Sequence, residues 1–131
     1  MKNIVVWADI PVTDLDRASK FYSHVLAMPV NKMPGVDGVA LPGSPSDDAT
    51  SVPETSPVAF DLYLGGTPSL EGVTVYLSSS GDFSGILTRV REAGGKILQE
   101  PQDMGSMIGA LAFIEDTEGN RIGIHEPPLG M

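Results

Sequence analysis

The sequence contains the same short plan of elements twice, and this repeat is the strongest limit on how the chain can fold. Residues 4–10 read as a strand, and the segment from Thr13 to Ala27 has the apolar spacing of an amphipathic helix. Residues 72–78 and 82–93 repeat that order. An offset of 68 residues superimposes the apolar helix positions, which are Leu15 on Phe83, Ala18 on Ile86, Tyr22 on Val90 and Val25 on Ala93. We therefore expect a binding site between the two copies.

Three further strands are predicted after each helix. In the first half they cover residues 30–33, 36–41 and 58–64. In the second half they cover residues 96–99, 110–115 and 121–125. Residues 100–109 are predicted as a loop, and Gly119 supplies the positive φ that a hairpin turn at 116–120 needs. Thr13 is the predicted N-cap of the first helix.

Length and composition restrict the class of protein. A chain of 131 residues with 41% hydrophobic residues can form one domain with a real core, here divided into halves 1–66 and 67–131. The absence of cysteine excludes disulfides and cysteine-based metal sites. A net charge of -9 makes nucleic acid a poor partner. No apolar run could span a membrane, and the N-terminus lacks a signal-peptide layout, so we expect a cytoplasmic protein.

Residues 42–57 form the least regular part of the sequence. They contain four prolines and many Ser, Thr and Asp residues, which prevent both helical and strand periodicity. The segment is either a solvated loop or a lid over a pocket. Composition alone does not separate these two readings.

Three strings resemble one known family. They are Asp14-Leu15-Asp16-Arg17-Ala18 followed by Phe21-Tyr22, then Gly94-Gly95-Lys96, and then Asp116-Thr117-Glu118-Gly119-Asn120. Together they resemble the vicinal oxygen chelate superfamily, which includes glyoxalase I, bleomycin-resistance proteins, fosfomycin-resistance enzymes and extradiol dioxygenases. The resemblance covers nearly the whole chain apart from residues 42–57, and the nearest subgroup is the small glyoxalase-like proteins of uncertain function. It implies an α+β fold in which two βαβββ modules curl into a half-open sheet around a cavity, and it implies a homodimer.

The resemblance also identifies four strand positions that carry metal ligands in the metal-dependent members. Counted from the motifs, these positions are Trp7, Asp61, Val75 and Gly123. Only Asp61 has a side chain that could bind a divalent cation, and one carboxylate makes a weak site. Glyoxalase I or dioxygenase activity is therefore not expected, and neither is a cofactor, with a divalent metal as the alternative.

The period of two along each strand extends these positions to a predicted cavity lining. Asp9 shares a face with Trp7, and Arg121 and His125 share a face with Gly123. The predicted ligand-binding residues are Trp7, Asp61, Tyr63, Val75, Arg121 and His125. An apolar and aromatic lining with a few polar groups is typical of a site for a small molecule.

Three of these residues have a second reading. Asp61 is either a functional carboxylate or the structural partner of Arg121, since a buried carboxylate needs one or the other. Trp7 either stacks on a ligand or fills the cavity as part of the core. His125 is either a polar group at the mouth of the pocket or a solvated residue at a strand end.

Three hypotheses follow, and they leave open whether the protein is an enzyme. The first is a protein that binds a small organic molecule without the usual metal site. The second is a lyase or isomerase with a reduced or relocated metal site on Asp61 and His125. The third is a structural partner module in which Trp7 closes the pocket. No catalytic residue can be named from the sequence.

Overall fold

The computed structural model describes residues 7–32, 38–40, 59–79 and 81–128, which form two sets of four strands and one helix. The first set consists of β1 (Trp7–Pro11), α1 (Leu15–Leu26), β2 (Asn31–Lys32), β3 (Gly38–Ala40) and β4 (Ala59–Tyr63). The second set consists of β5 (Val75–Ser78), α2 (Phe83–Glu92), β6 (Lys96–Asp103), β7 (Ala110–Glu115) and β8 (Arg121–Glu126). This order confirms the predicted α+β fold class.

Each set forms one four-stranded mixed sheet. The strand orders are β1-β4-β3-β2 and β5-β8-β7-β6, so the first and last strands of each set are neighbours. Those two neighbours are parallel in both sheets, whereas the remaining pairs are antiparallel. The sheets are curled and unclosed, which agrees with the half-open sheet that the resemblance implied.

The hydrophobic core lies between the helices and one face of each sheet. Helix α1 buries its apolar stripe there, including Phe21, which is 1% exposed. The strands contribute alternate residues to the same core: Ile10, Leu62, Leu77, Ala112, Ile114, Ile122 and Ile124. Each large side chain of this kind contributes about 1.5–3 kcal/mol by leaving water. We call the opposite face of each sheet its open face.

The start of helix α1 differs from the prediction by one residue. Asp14, not Thr13, is the N-cap, with its side chain accepting a hydrogen bond from the backbone N–H of Arg17 at 3.0 Å. The backbone N–H of Thr13 donates instead to Glu118, at 2.9 Å. A carboxylate from the distant hairpin therefore occupies the position at which a local cap was expected.

Strand β6 is longer than predicted. The sequence placed a loop from residue 100 onward, yet the strand continues to Asp103 through Pro101. Strand β6 lies at the edge of its sheet, and an edge strand tolerates proline because one row of its backbone groups has no ladder partner. The loop prediction was wrong for residues 100–103 for this reason.

Some predictions concern parts of the chain outside the described residues. They include residues 4–6 of the first strand, parts of the strands predicted at 30–33 and 36–41, and the segment 42–57. Within the described ranges, the longer of the two helices has 12 residues, and neither is long and apolar enough to cross a membrane.

Candidate functional site

The open face of the first sheet carries two carboxyl groups and two exposed aromatic residues. The register of the parallel pair β1–β4 places Asp9 opposite Asp61, so these two side chains share a face. Trp7 and Tyr63 lie two residues away on the same strands and so belong to that face as well. We call Trp7, Asp9, Asp61 and Tyr63 the N-terminal open face.

Asp61 is a buried carboxyl group on this face. It is 2% exposed, and its Oδ1 atom has no hydrogen-bond partner in the part of the chain that the structure describes. Burial, and then the neighbouring Asp9 carboxyl, raise the pKa of Asp61 to about 7. The interpretation that Arg121 is its structural partner is wrong, because Arg121 contacts Thr74 and Phe113 on the other sheet.

Trp7 and Tyr63 flank the carboxyl pair. The indole N–H of Trp7 donates to Oδ1 of Asp9 at 2.9 Å, and Trp7 remains 47% exposed. The ring of Tyr63 lies over Gly65, where a Cβ atom would collide with it, and Tyr63 is 37% exposed. Neither residue belongs to the buried core, so Trp7 does not fill the inside of the protein.

The open face of the second sheet is aromatic and carries one guanidinium group. The register places Tyr76 and Phe113 opposite Gly123, with Arg121 and His125 two residues away along β8. We call Tyr76, Phe113, Arg121, Gly123 and His125 the C-terminal open face. Sequence reasoning had missed Tyr76 and Phe113, although the period of two along 110–115 would have placed Phe113 there.

Val75 does not lie on this face, contrary to the prediction. It pairs with Ile122 in the register and packs against the helix-side core. The helices repeat with an offset of 68 residues, from Asp14 to Asp82, but the strands repeat with an offset of 67, from Ile10 to Leu77. The second half has one more residue between strand and helix, and a slip of one residue reverses which face a side chain occupies. Thr74 is thus the equivalent of Trp7.

Gly123 gives Tyr76 its position. A Cβ atom at Gly123 would collide with the Tyr76 ring, so the ring lies directly over this glycine. The Tyr76 and Phe113 rings then meet edge to face, with centroids 5.9 Å apart. The position that carries a metal ligand in the metal-dependent relatives is here covered by an aromatic ring.

His125 is held by a backbone group. Its Nε2 donates to the carbonyl oxygen of Ile108 at 2.6 Å, and the residue is half-buried beside the loop that carries Met104 and Met107. His125 is therefore not fully solvated, and its Nε2 is engaged by a backbone group. Asp61 and His125 also lie on strands of different sheets.

The donor set does not fit the metal of the metal-dependent relatives. Trp7, Thr74 and Gly123 offer an indole, a hydroxyl group and no side chain, so Asp61 is the single strong ligand among the four positions. Within the described ranges, no group of three or more His, Asp or Glu side chains is arranged to hold an ion. We therefore derive no chemical step through a metal at these positions.

A separate cleft of about 750 Å³ lies on the helix side of the molecule. Its charged side chains include Arg17, His24 and Glu92. Arg17 pairs with Glu118 at 2.7 Å, and His24 contacts Glu92 at 3.0 Å. Arg17 and His24 therefore each already have an acidic partner within the protein. The cleft shares no residue with either open face.

Comparison with known proteins identifies the fold. A family model described as the glyoxalase/bleomycin resistance protein/dioxygenase superfamily matches residues 4–124. A glyoxalase/bleomycin resistance protein from Albidiferax ferrireducens is 18% identical, with a TM-score of 0.69 over 95% of this chain and 100% of that one. A glyoxalase-related enzyme from Fulvimarina pelagi is 13% identical, with a TM-score of 0.63 over 92% of this chain and 86% of that one.

A glyoxalase I mutant from Zea mays is also similar in structure. It is 19% identical, with a TM-score of 0.57, and the match covers 92% of this chain but 45% of the maize chain. No curated protein matches the sequence. At these identities the structural neighbours establish the shared fold and not a shared activity.

Proposed function

The chain belongs to the glyoxalase/bleomycin resistance protein/dioxygenase superfamily, and we propose that it binds a small organic molecule on its open faces without the usual metal site of that family. One observation carries the proposal. At and beside the positions of the metal ligands, the chain presents the exposed aromatic residues Trp7, Tyr63 and Tyr76. Aromatic surfaces beside a few polar groups are the usual composition of a small-molecule site.

The Asp9–Asp61 pair supplies the polar part of the N-terminal open face. Two carboxyl groups side by side cannot both ionise at low cost, so the pair retains a proton up to about neutral pH, in keeping with the raised pKa of Asp61. Such a pair can both donate and accept a hydrogen bond. Oδ1 of Asp61 is buried and has no hydrogen-bond partner among the described residues, so a ligand group that reached it would supply the hydrogen bond that it lacks.

The proposal is tested with Trp7, the single tryptophan of the chain. Purified, untagged protein is titrated with a panel of small aromatic and polar organic molecules and, separately, with Ni²⁺, Zn²⁺, Mn²⁺, Fe²⁺ and Mg²⁺. A ligand that binds the native state must raise the melting temperature by mass action. We expect organic molecules that raise the melting temperature and change Trp7 emission, and no comparable effect of the metal ions.

Two variants sharpen this test. Trp7→Ala removes the aromatic side chain and should reduce the shift in melting temperature, which distinguishes binding near Trp7 from a general effect of the compound. Leu70→Ala changes an exposed loop residue that belongs to neither open face and should leave both signals unchanged. Near-stoichiometric metal with a raised melting temperature, and no response to organic compounds, would overturn the proposal.

The second candidate is a lyase or isomerase of the same superfamily that holds a divalent ion on Asp61 and His125. The observation in its favour is the unpartnered Oδ1 of Asp61. If this candidate is right, Asp61→Ala and His125→Ala should each abolish metal uptake and turnover. Retention of metal binding by either variant counts against it.

A further inference from the structure

Arg121 is fixed by neutral groups. Its guanidinium carbon lies 3.9 Å from the centroid of the Phe113 ring, and one of its terminal nitrogens donates to Oγ1 of Thr74 at 3.0 Å. Its backbone N–H donates to the carbonyl oxygen of Ser69 at 3.2 Å. These contacts orient a half-buried cation toward the open face without neutralising its charge.

No carboxylate pairs with this cation in the part of the chain that the structure describes. Arg17, Arg89 and Arg91 each have an acidic partner within 3.3 Å. Glu115 lies opposite Arg121 in the β7–β8 register, yet the two do not form an ion pair. The chain has 17 acidic and 8 basic residues, so a carboxylate partner for Arg121 would have been easy to provide. A partly buried guanidinium without such a partner is stabilised when it binds an anion.

The surface beside Arg121 is aromatic. Tyr76 lies over Gly123, is 47% exposed, and meets Phe113 at an interplanar angle of 65°. Phe113 is the ring on which Arg121 stacks. A guanidinium group and an exposed aromatic ring are therefore held side by side on the same sheet face.

We propose that the ligand of the C-terminal open face is a small aromatic carboxylate, with the carboxylate bound by Arg121 and the ring packed on Tyr76. A guanidinium matches the two oxygens of a carboxylate with two parallel hydrogen bonds. Aromatic rings pair favourably at the distances that an exposed tyrosine offers. This inference rests on the proposed function, since it names the class of molecule that the open faces bind.

Three probes of equal size and different charge test the inference: benzoate, benzamide and benzylamine. Binding is measured by ligand-observed NMR and by thermal shift on the full chain. Benzoate should bind roughly tenfold or more tightly than the neutral benzamide, and benzylamine should bind more weakly still. Arg121→Gln should weaken benzoate binding by about tenfold or more, and Tyr76→Leu should weaken all probes that bind.

Control variants separate this site from general charge effects and from misfolding. Arg91→Gln removes an exposed arginine that pairs with Glu100 and should leave benzoate binding unchanged. Arg121→Lys keeps the charge but loses the planar fork, so it provides a second test if Arg121→Gln does not fold, and it should bind benzoate more weakly than the parent.

The outcomes also separate this inference from the proposed function. If benzamide or benzylamine binds as well as benzoate, or if benzoate binding survives in both Arg121 variants, the assignment of a carboxylate to Arg121 is wrong while small-molecule binding stands. If no organic compound in either panel raises the melting temperature or changes Trp7 emission, both proposals fail.

Discussion

Asp61 is a buried carboxyl group in which one of the two oxygens has no hydrogen bond among the described residues. It is 2% exposed, the oxygen without a partner is Oδ1, and another carboxyl, Asp9, lies opposite it in the register. Ionisation of Asp61 is therefore costly in the folded protein. We therefore expect the free energy of unfolding to depend on pH through the ionisation of Asp61.

Asp61→Asn should stabilise the protein, and more so as the pH rises. The pKa of Asp61 is about 7 in the folded chain and about 3.9 in an unfolded one. The unfolded state thus loses its proton first, and the native protein loses stability as the pH rises between these two values. The two pKa values differ by about 3 units, so the variant should gain up to roughly 4 kcal/mol at pH 8 relative to pH 4, measured by chemical denaturation across that range.

Glu71→Gln provides the matched control for this prediction. It removes one negative charge at an exposed position, so any general benefit of a lower net charge appears in both variants. A stability difference between Asp61→Asn and the parent that stays constant with pH, or that resembles the Glu71→Gln difference, would contradict the prediction.

Individual residues were the least predictable part of the site. Trp7, Asp61 and Tyr63 do share an open face, as the period of two indicated. Val75 does not, because a single additional residue before helix α2 shifts the phase of β5 relative to its helix. The spacing of apolar residues in the helices does not reveal the length of the connection between β5 and α2. The strand register was therefore needed to show that Tyr76, and not Val75, lies on the open face.

At the scale of elements, the second hairpin provides a second cap for the first helix, beside the local N-cap Asp14. The side chain of Glu118, which lies in the β7–β8 turn, is fully buried. Its Oε1 accepts hydrogen bonds from the backbone N–H groups of Thr13 and Asp14, both at 2.9 Å, and Arg17 pairs with the other oxygen at 2.7 Å. A carboxylate at a helix N-terminus is also favoured by the helix dipole.

Glu118→Gln should destabilise the protein by about 2 kcal/mol at neutral pH, because it weakens several charge-assisted hydrogen bonds. Burial opposes ionisation of Glu118, but Arg17 and the backbone N–H groups of Thr13 and Asp14 lower its pKa to about 2. An unfolded Glu titrates near 4.3, so the contribution is complete above that pH and is lost as the pH falls through 2.

The measurement is the free energy of unfolding of Glu118→Gln and of its control, Glu100→Gln, between pH 2 and neutrality. Glu100 forms an exposed ion pair with Arg91, and such pairs contribute about 0–1 kcal/mol. If Glu118→Gln lost no more stability than Glu100→Gln, Glu118 would not act as a cap. A loss that persisted unchanged at low pH would contradict the pKa argument.

Elements were more predictable than residues. The helices, β7 and β8 lie within a few residues of their predicted bounds, because their apolar periodicity coincides with the burial that tertiary packing imposes. Gly119 has a φ of 98° in the predicted turn. The errors fall where a distant contact decides the outcome. Glu118 binds the N–H of Thr13 and leaves the N-cap to Asp14, and the position of β6 at an edge permits Pro101.

At the scale of the molecule, the two halves form one folded unit rather than two modules in contact. The Tyr22 hydroxyl, in the first helix, donates to Asp116 at 2.6 Å inside the core. Asn120 donates to the carbonyl oxygen of Pro11 at 2.7 Å, and helices α1 and α2 pack together. The Asp116–Asn120 string that marks the family is therefore the structural link between the halves.

We expect the protein to form a homodimer through the edge of its second sheet. Strand β6 is an edge strand with exposed side chains along most of its length, including the apolar Leu98. Exposed apolar groups beside an unpaired strand edge favour association. Light scattering after size exclusion should give twice the 13.8 kDa mass of one chain.

Leu98→Glu should shift that equilibrium to the monomer, whereas Leu70→Glu should not. The two leucines have similar exposure, 43% and 44%, but Leu70 lies in the loop before β5. A mass of one chain at every concentration, or equal effects of the two variants, would contradict this interface.

The cap of helix α1 has a consequence for how the chain is made. Thr13 and the Glu118 carboxylate that receives its N–H are separated by 105 residues, so the helix leaves the ribosome long before its partner has been translated. Contacts of such long sequence range form late and at an entropic cost. During synthesis, the first half therefore exposes surface that is buried in the finished protein, and chaperones can bind it. The last hairpin, once translated, supplies the remaining contacts of helix α1.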